Sequence, residues 1–461
     1  MDSRWVFKLK KDVQGNPERY KARLVVKGCA QIPGLDFDQT YAPVARLTTL
    51  RCLLAVINHE NLQAEQLDVK NAFLQGFLKE ELYMKQPEGM KESPGLVCKL
   101  NRALYGLKQA SNAWNSRFDS FVKSAKFVQS TEDRCLYTKF ENGHKLYLLL
   151  YVDDVILASD SPVMIKETKA LLMNEFRMTD LGRLHHFLGI QITFSNGGLA
   201  LSQSHFFRDV LERFDMSDCN PCKTPLDTKL PVELEGECIV DSKPYRQLVR
   251  CLMYGMLATR PDISMAVNFF SRFLSNATER QWRGLKRVLK YIKGTLHVSL
   301  NFDKTSSNYQ LHGFADADWA GDTDRKSTSG FLFCLGNSLV QWSTQKQCTV
   351  ALSTTEAEYI ALASGVSELL WLLKLFKDLG VSFKNPPLLH EDNLSCIHSL
   401  SRVEHKKLKH IDVKFHFLKD LYNKRFFTIC HVASVDQLAD ILTKGLPFET
   451  FDKFCKRLGV R

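Results

Sequence analysis

At 461 residues the chain is long enough for two to four domains, each with a core of its own. A hydrophobic share of 44% and a charged share of 25% exclude a disordered or fibrous chain, and no uninterrupted apolar run reaches the roughly 18 residues of a membrane span, so no membrane partner is expected. A net charge of +11 suggests a polyanionic partner. The sequence enters directly on Trp5-Val6-Phe7 with mixed charge and shows no secretory signal. Its 13 cysteines are an odd number and scattered singly, apart from Cys219-Asn-Pro-Cys222. That pattern argues against a disulfide framework and fits a reduced, intracellular compartment.

In chain order, Leu24–Lys27 reads as a strand. Thr48–Ile57 reads as a helix with Leu50, Leu53, Leu54 and Ile57 at helical spacing. Asp68 closes an extended segment, Gln66-Leu67-Asp68-Val69-Lys70-Asn71. Two strand-like runs, Leu146–Val152 and Val155–Ala158, bracket Asp153-Asp154, and Val163–Phe176 follows as a helix. Adjacent carboxylates at ~4 Å repel by about 4 kcal/mol at an effective dielectric near 20. Apolar flanks worsen that cost, and a divalent cation is its usual remedy. A solvated Asp-Asp turn between strands is the plainer alternative.

Proline and acidic residues mark a break at Asn220–Glu237, and a second break lies near Lys304–Asn308. Between them residues 241–300 read as mostly helical. Along Glu279–Lys293 an apolar stripe of Trp282, Leu285, Leu289 and Ile292 lies beside a basic one of Arg283, Lys286, Arg287 and Lys290. That basic stripe is either a solvated face or a contact surface for nucleic-acid phosphates.

The final region, 309–445, holds four acidic blocks. They are Phe314-Ala-Asp-Ala-Asp-Trp-Ala-Gly321, Ser353-Thr-Thr-Glu-Ala-Glu-Tyr359, Glu391-Asp-Asn393 and Gln437-Leu-Ala-Asp440. Ser353-x-x-Glu356 is a capping box, which predicts a helix from about Thr354 to Leu379 ending at Gly380. At ~100° per residue, Glu356 falls with Ser367, Lys374 and Asp378 on the expected solvent side. Glu358 falls with Leu362, Gly365, Leu369 and Phe376 on the buried side, where a carboxylate needs a cation or a donor.

Taken together, the motifs Tyr20-Lys-Ala-Arg-Leu-Val-Val-Lys-Gly28, Gln66-Leu-Asp-Val-Lys-Asn-Ala-Phe-Leu74, Leu104-Tyr-Gly-Leu-Lys-Gln-Ala110, Tyr151-Val-Asp-Asp154 and Phe187-Leu-Gly189 carry a resemblance. In order and spacing the chain resembles the reverse transcriptase–ribonuclease H portion of a copia-type LTR retrotransposon Pol polyprotein.

The resemblance implies a multidomain α/β (α+β) fold. Residues 1–220 would be right-hand polymerase fingers and palm, truncated at the N-terminus. Residues 221–305 would be a helical thumb or connection, 306–445 a ribonuclease H-like mixed-sheet domain, and 446–461 a C-terminal tail. It implies RNA- and DNA-directed DNA synthesis with degradation of RNA in hybrids. The alternative is a catalytically silent relic or a host-adopted nucleic-acid-binding protein.

By the same resemblance Asp68, Asp153 and Asp154 hold the polymerase metals, and Lys21 and Arg23 grip the incoming triphosphate. Phe73 excludes a 2′-hydroxyl, with core packing as the plainer role, and Gln109 lines the nucleotide pocket. Asp316, Glu358, Asp392 and Asp440 hold the nuclease metals, with Asp318 and Glu356 as local rivals. The cofactor is Mg²⁺, two ions per site about 3.5–4 Å apart, with Mn²⁺ as a substitute.

Arg283, Lys286, Arg287, Lys290 and Lys409 (within Lys406-Lys-Leu-Lys-His410) would contact nucleic acid. The implied partners are an RNA template, a DNA primer, an RNA–DNA hybrid and dNTPs, with a homodimer among the compatible assemblies. The setting would be a cytoplasmic particle or the nucleus. Integrase and protease segments are absent from this chain. It departs from the family in Gln109-Ala-Ser-Asn-Ala-Trp114, where relatives carry Gln-Ala-Pro-Arg-Ala-Trp.

Overall fold

The computed structural model describes residues 1–11, 17–90, 95–228, 239, 241–304, 309–321, 324–401 and 412–461. These form two compact units, Met1–Arg46 with Leu62–Leu184, and Leu47–Asn61 with His185–Arg461. The chain therefore passes between units at 46/47, 61/62 and 184/185; the boundaries expected from the sequence are 220/221, 305/306 and 445/446.

The first unit opens with a two-stranded hairpin, β1 (Ser3–Lys11) and β2 (Pro17–Val26), in which Phe7 faces Ala22 and Lys8 faces Lys21. Helix α1 (Leu47–Glu60) leaves for the second unit. The chain returns as β3 (Gln63–Val69), α2 (Ala72–Gln75), the short pair β4 (Tyr83–Lys85) and β5 (Val97–Lys99), and α3 (Ala110–Ser124). Then come β6 (Val128–Gln129), β7 (Leu136–Glu141), β8 (His144–Tyr151), β9 (Asp154–Ser159), α4 (Pro162–Glu175) and β10 (Met178–Arg183). The main sheet runs β10-β3-β9-β8-β7-β6, all antiparallel. Leu146, Leu148, Leu150, Val155 and Leu157 share one core with Trp114 and Phe118 of α3 and Ile165 and Leu172 of α4. Tyr147, Leu149, Ile156 and Ala158 are also buried, so these strands are written as unbroken apolar runs without period-two alternation.

In the second unit, α1 is buried at almost every position from Thr48 to Asn58. Its Arg51 is 4% exposed. Nε donates to Val340 O at 2.8 Å and one terminal nitrogen to Leu257 O at 2.6 Å, while the guanidinium stacks 3.9 Å over Trp342. Burial lowers its pKa to about 9.

A small antiparallel sheet follows, made of β11 (His186–Phe187), β12 (Ile190–Ser195), β13 (Gly198–Ser202) and β14 (Leu300–Asp303). Between β13 and β14 lie helices α5 (Ser204–Arg213), α6 (Lys243–Ala258), α7 (Ser264–Ser271) and α8 (Glu279–Gly294); the last three fall in the stretch that reads as helical, and α5 lies before it.

The rest is a mixed sheet with helices. Its elements are β15 (Leu311–Asp318), β16 (Thr328–Leu335), β17 (Ser338–Lys346), α9 (Thr354–Asp378), β18 (Leu388–Glu391), α10 (Leu394–Ser401), α11 (Asp412–Asn423), β19 (Thr428–His431) and α12 (Phe448–Arg457). The strand order is β17-β16-β15-β18-β19. The first three strands are antiparallel, and β18 and β19 run parallel to β15. The chain as a whole is a multidomain α/β protein. Helix α9 has the length and apolar composition to cross a membrane, with 61% of its most apolar window buried inside the protein.

Candidate active sites

In the first unit the acids converge because of strand pairing. Asp68 on β3 stands opposite Asp154 on β9, and Val69 N–H donates to Asp153 O at 2.7 Å. The turn joining β8 to β9 consists of Val152 and Asp153, with Asp154 already the first residue of β9. The expected Asp-Asp turn is thus displaced by one residue.

Val152 takes φ +57°. A two-residue hairpin of this kind favours glycine at its first position, and a β-branched residue there carries about 1–3 kcal/mol of backbone strain. The conformation is held from behind, where Trp114 Nε1 donates to Val152 O at 2.7 Å.

Burial, with Asp153 and Asp68 close by, pushes the Asp154 carboxyl up to about 6. Burial and Asp68 raise Asp153 as well, while Lys21 and Arg23 pull the other way.

Asp68 and Asp153 line a cavity of about 290 Å³ together with Arg19, Lys21, Arg23 and Tyr105. Arg19 was not singled out by its motif. The hairpin register could have found it, because Arg19, Lys21 and Arg23 alternate along β2 on one face. Arg23 lies 5.3 Å from the centre of the Tyr105 ring. Phe73, on α2, packs against Tyr105 with ring centres 5.0 Å apart and planes tilted by 55°, and it lines a separate cavity of about 170 Å³ with Trp114 and Val152. Gln109 is buried and spends both ends of its amide internally: Nε2 donates to Asp36 O at 2.8 Å and Oε1 accepts from Gln31 Nε2 at 2.9 Å.

In the second unit, Asp316 projects from β15, Glu358 from the first turns of α9, and Asp392 from the residue after β18. Each offers an oxygen within 4.8 Å of the other two; Asp68, Asp153 and Asp154 do not close to that spacing. The parallel pairing of β15 with β18 places these carboxyl ends side by side, the usual position for a site in such a sheet.

Asp316 Oδ2 accepts from the Thr443 hydroxyl, and Asp392 Oδ2 accepts from Ser434 Oγ at 2.7 Å. Asp440 lies in a 3₁₀ turn (Leu438–Leu442), where its carboxyl meets Lys444 Nζ at 2.9 Å; the same ammonium is 3.9 Å from Asp316 Oδ2. Burial and Asp316 raise the Asp440 carboxyl to about 7. Burial, Asp316 and Glu391 hold Glu358 far above the ordinary carboxylate range. Glu391 is fully buried beside them and was not anticipated; only its place next to Asp392 marks it in the sequence.

Glu358 is 7% exposed, and its Oε2 is buried without a hydrogen-bond partner. An orphaned acidic oxygen among carboxylates is what a hard divalent cation would satisfy, so these residues fit such an ion. The polymerase acids fit one by donor chemistry, being oxygen ligands two of which are raised by burial and then by their neighbouring carboxylates.

Among the rivals, Asp318 ends β15 with its carboxyl against Gly321. The Glu356 expectation needs correction, since Glu356 is 5% exposed and does not face solvent. Ser353 is the N-cap of the helix, and the Glu356 carboxylate bonds the residue before that cap. Glu356 N–H donates to Ser353 Oγ at 3.2 Å, and Glu356 Oε2 accepts from Leu352 N–H at 2.8 Å. Satisfying that backbone donor folds the carboxylate back under the entering chain, which buries it.

Of the basic stripe on α8, Arg283 and Lys290 are exposed, and Lys286 lies 4.8 Å from the centre of the Trp282 ring. Arg287 is committed internally, to Thr224 at 3.0 Å and Asp227 at 3.0 Å. Lys409 and its basic cluster lie outside the described residues, as do parts of both expected breaks.

Residues 1–228 match the family model of the reverse transcriptase (RNA-dependent DNA polymerase). The chain is 40% identical, over 99% of its length, to the retrovirus-related Pol polyprotein from transposon TNT 1-94 of Nicotiana tabacum, covering 35% of that protein. It is 31% identical, over 66% of its length, to a Saccharomyces cerevisiae protein described as of transposon Ty5-1, covering 100% of it. The chain belongs to the reverse transcriptases of copia-type retrotransposon Pol polyproteins.

It spans about a third of the length of the Pol polyproteins it matches, 35% of the tobacco protein and 32% of the RE2 polyprotein of Arabidopsis thaliana. Among solved structures, a foamy viral protease-reverse transcriptase in complex with RNA/DNA hybrid aligns over 97% of this chain and 51% of its own. The identity is 13% and the TM-score 0.48.

Proposed function

We propose that this copia-type chain is an RNA- and DNA-directed DNA polymerase that also cleaves the RNA strand of RNA–DNA hybrids. The observation that carries the polymerase reading is the cavity in which Asp68 and Asp153 face Arg19, Lys21 and Arg23. Carboxylates on one wall and a row of cations on the other suit a nucleoside triphosphate bound through metal ions, and little else of that size.

In this reading Arg23 and Lys21 grip the phosphates, and Tyr105 and Phe73 support the floor beneath the sugar. The strained Val152 turn presents Asp153 to the reacting end of the primer. Two Mg²⁺ ions at Asp68, Asp153 and Asp154 would neutralise the charge that develops on the attacking and leaving oxygens. Asp316, Glu358, Asp392 and Asp440 would hold the ions for hydrolysis of the hybrid. Arg283, Lys286 and Lys290 offer the duplex its phosphate contacts, and Arg287 serves the fold.

Primer extension on poly(rA)·oligo(dT) in Mg²⁺ tests the first activity, and a labelled RNA–DNA hybrid tests the second. Extension by the native chain supports the reading. Tight hybrid binding with neither extension nor cleavage overturns it in favour of a catalytically silent binding protein.

A further inference from the structure

The four acids of the second site differ in what already holds them. Asp316, Glu358 and Asp392 bring one oxygen each to within 4.8 Å of the others, and Glu358 Oε2 is buried with no hydrogen-bond partner. Asp440 is paired with the Lys444 ammonium at 2.9 Å, and the same ammonium stands 3.9 Å from Asp316 Oδ2 of the trio.

The backbone enforces the arrangement, because Thr443 N–H and Lys444 N–H both donate to Asp440 O at 3.1 Å. Lys444 therefore starts one turn beyond Asp440 and folds back over it. Its side chain remains 39% exposed, so the flexible stem has an open path to water.

We propose that Lys444 is a resident cation that fills half of this site's capacity for metal. The centre then takes one divalent ion tightly, at Asp316, Glu358 and Asp392. A second ion binds between Asp316 and Asp440 only after the ammonium has swung away, which makes it the weaker ion and couples its arrival to a phosphate that draws Lys444 outward. Lys444 is thus a positioning residue that sets metal stoichiometry. The inference rests on reading the site as a metal-dependent nuclease centre.

The test counts Mn²⁺ bound to the full chain by calorimetry and by electron paramagnetic resonance of free Mn²⁺. Asp68→Asn with Asp153→Asn in every sample removes the polymerase acids, so that the ions counted belong to the second site. The chain with Lys444 binds one ion tightly. Lys444→Met strengthens the second ion by about tenfold or more, a cautious reading of one unit charge removed at ~4 Å. Lys444→Arg keeps the charge and the single tight ion, and Lys444→Gln repeats the Met result should that variant fail to fold.

Two tight ions in the presence of Lys444, or matching isotherms for Lys444 and Lys444→Met, overturn the proposal. In that case, loss of the tight ion in Glu358→Gln still upholds the nuclease reading. If the chain binds no Mn²⁺ and Glu358→Gln changes nothing, the proposal and the nuclease reading fall together.

Discussion

In the first unit the acids meet at a hairpin tip. Val152 at φ +57° strains the turn, and Trp114 steadies it from behind. The balancing cations come from a neighbouring hairpin, across an open cavity. In the second unit the acids sit on the ends of a sheet and a long helix, nearly buried, with a lysine inside the cluster. The contrast reflects what each reading asks of its site. A triphosphate brings its own charge and metal, so a cleft with cations on the far wall can wait for it. A hybrid-cleaving centre must keep its carboxylates assembled between substrates, and buried acids without a counter-charge would repel or stay protonated.

The sharpest way to break the comparison is to separate the two chemistries. Asp153→Asn is expected to reduce primer extension by about 10³-fold or more, the scale on which one preorganised charge is felt at a reacting centre. Hybrid cleavage should be unchanged. Glu358→Gln should do the reverse with little loss of fold, since the amide fits where a protonated carboxyl sits. Measuring both activities on both variants decides it, and an equal loss in either variant would mean that the two sites do not act separately.

A smaller effect is expected at Phe73, which lies against Tyr105 and between two apolar clusters. Phe73→Val keeps an apolar filler while opening space beneath the sugar. Its dNTP/rNTP efficiency ratio should fall by roughly 10–100-fold, from the loss of a steric block of several methylene equivalents. An unchanged ratio with lower stability would assign the ring to packing alone.

The acids also predict opposite responses to proton and metal. The Asp154 carboxyl moves from 3.8 to about 6 in the folded chain. Between those values the folded state binds more protons than the unfolded state, so stability falls as pH rises through about 4 to 6. In chelator, melting should therefore shift down by roughly 2–4 °C across that window. Asp154→Asn should reduce that slope, and Mg²⁺ should offset it. A melting point that rises with pH in the native chain and not in Asp154→Asn would contradict the assignment.

Much of this was legible in the sequence because pairs and periods are local. Apolar runs around Asp153-Asp154 set β8 and β9, and the capping box at Ser353 set the start of α9. Register then did what spacing cannot, placing Asp68 opposite Asp154 and Arg19 on the same face as Arg23. The rest was hidden because it depends on distant contacts. Helix α1 looks like part of the polymerase by position. Its place in the second unit follows from Arg51, whose donors go to carbonyls more than 200 residues away. Likewise, nothing near Arg287 announces that Thr224 and Asp227 occupy it.

Glu356 gives the smallest effect. Helical phase put it on the solvent side, and the structure buries it, because capping geometry decides where a first-turn side chain goes. Its Oε2 accepts the Leu352 N–H at 2.8 Å, just ahead of the N-cap. Glutamine keeps an oxygen for that bond, so Glu356→Gln should retain hybrid cleavage and nearly all stability. Alanine removes that acceptor and is expected to cost about 1 kcal/mol, the scale of one lost hydrogen bond. Denaturant unfolding of the two variants beside cleavage of a labelled hybrid separates cap from ligand. If Glu356→Gln is inactive while Glu358→Gln still cleaves, the metal ligand on α9 is the capping residue, and the register of this site moves by two positions.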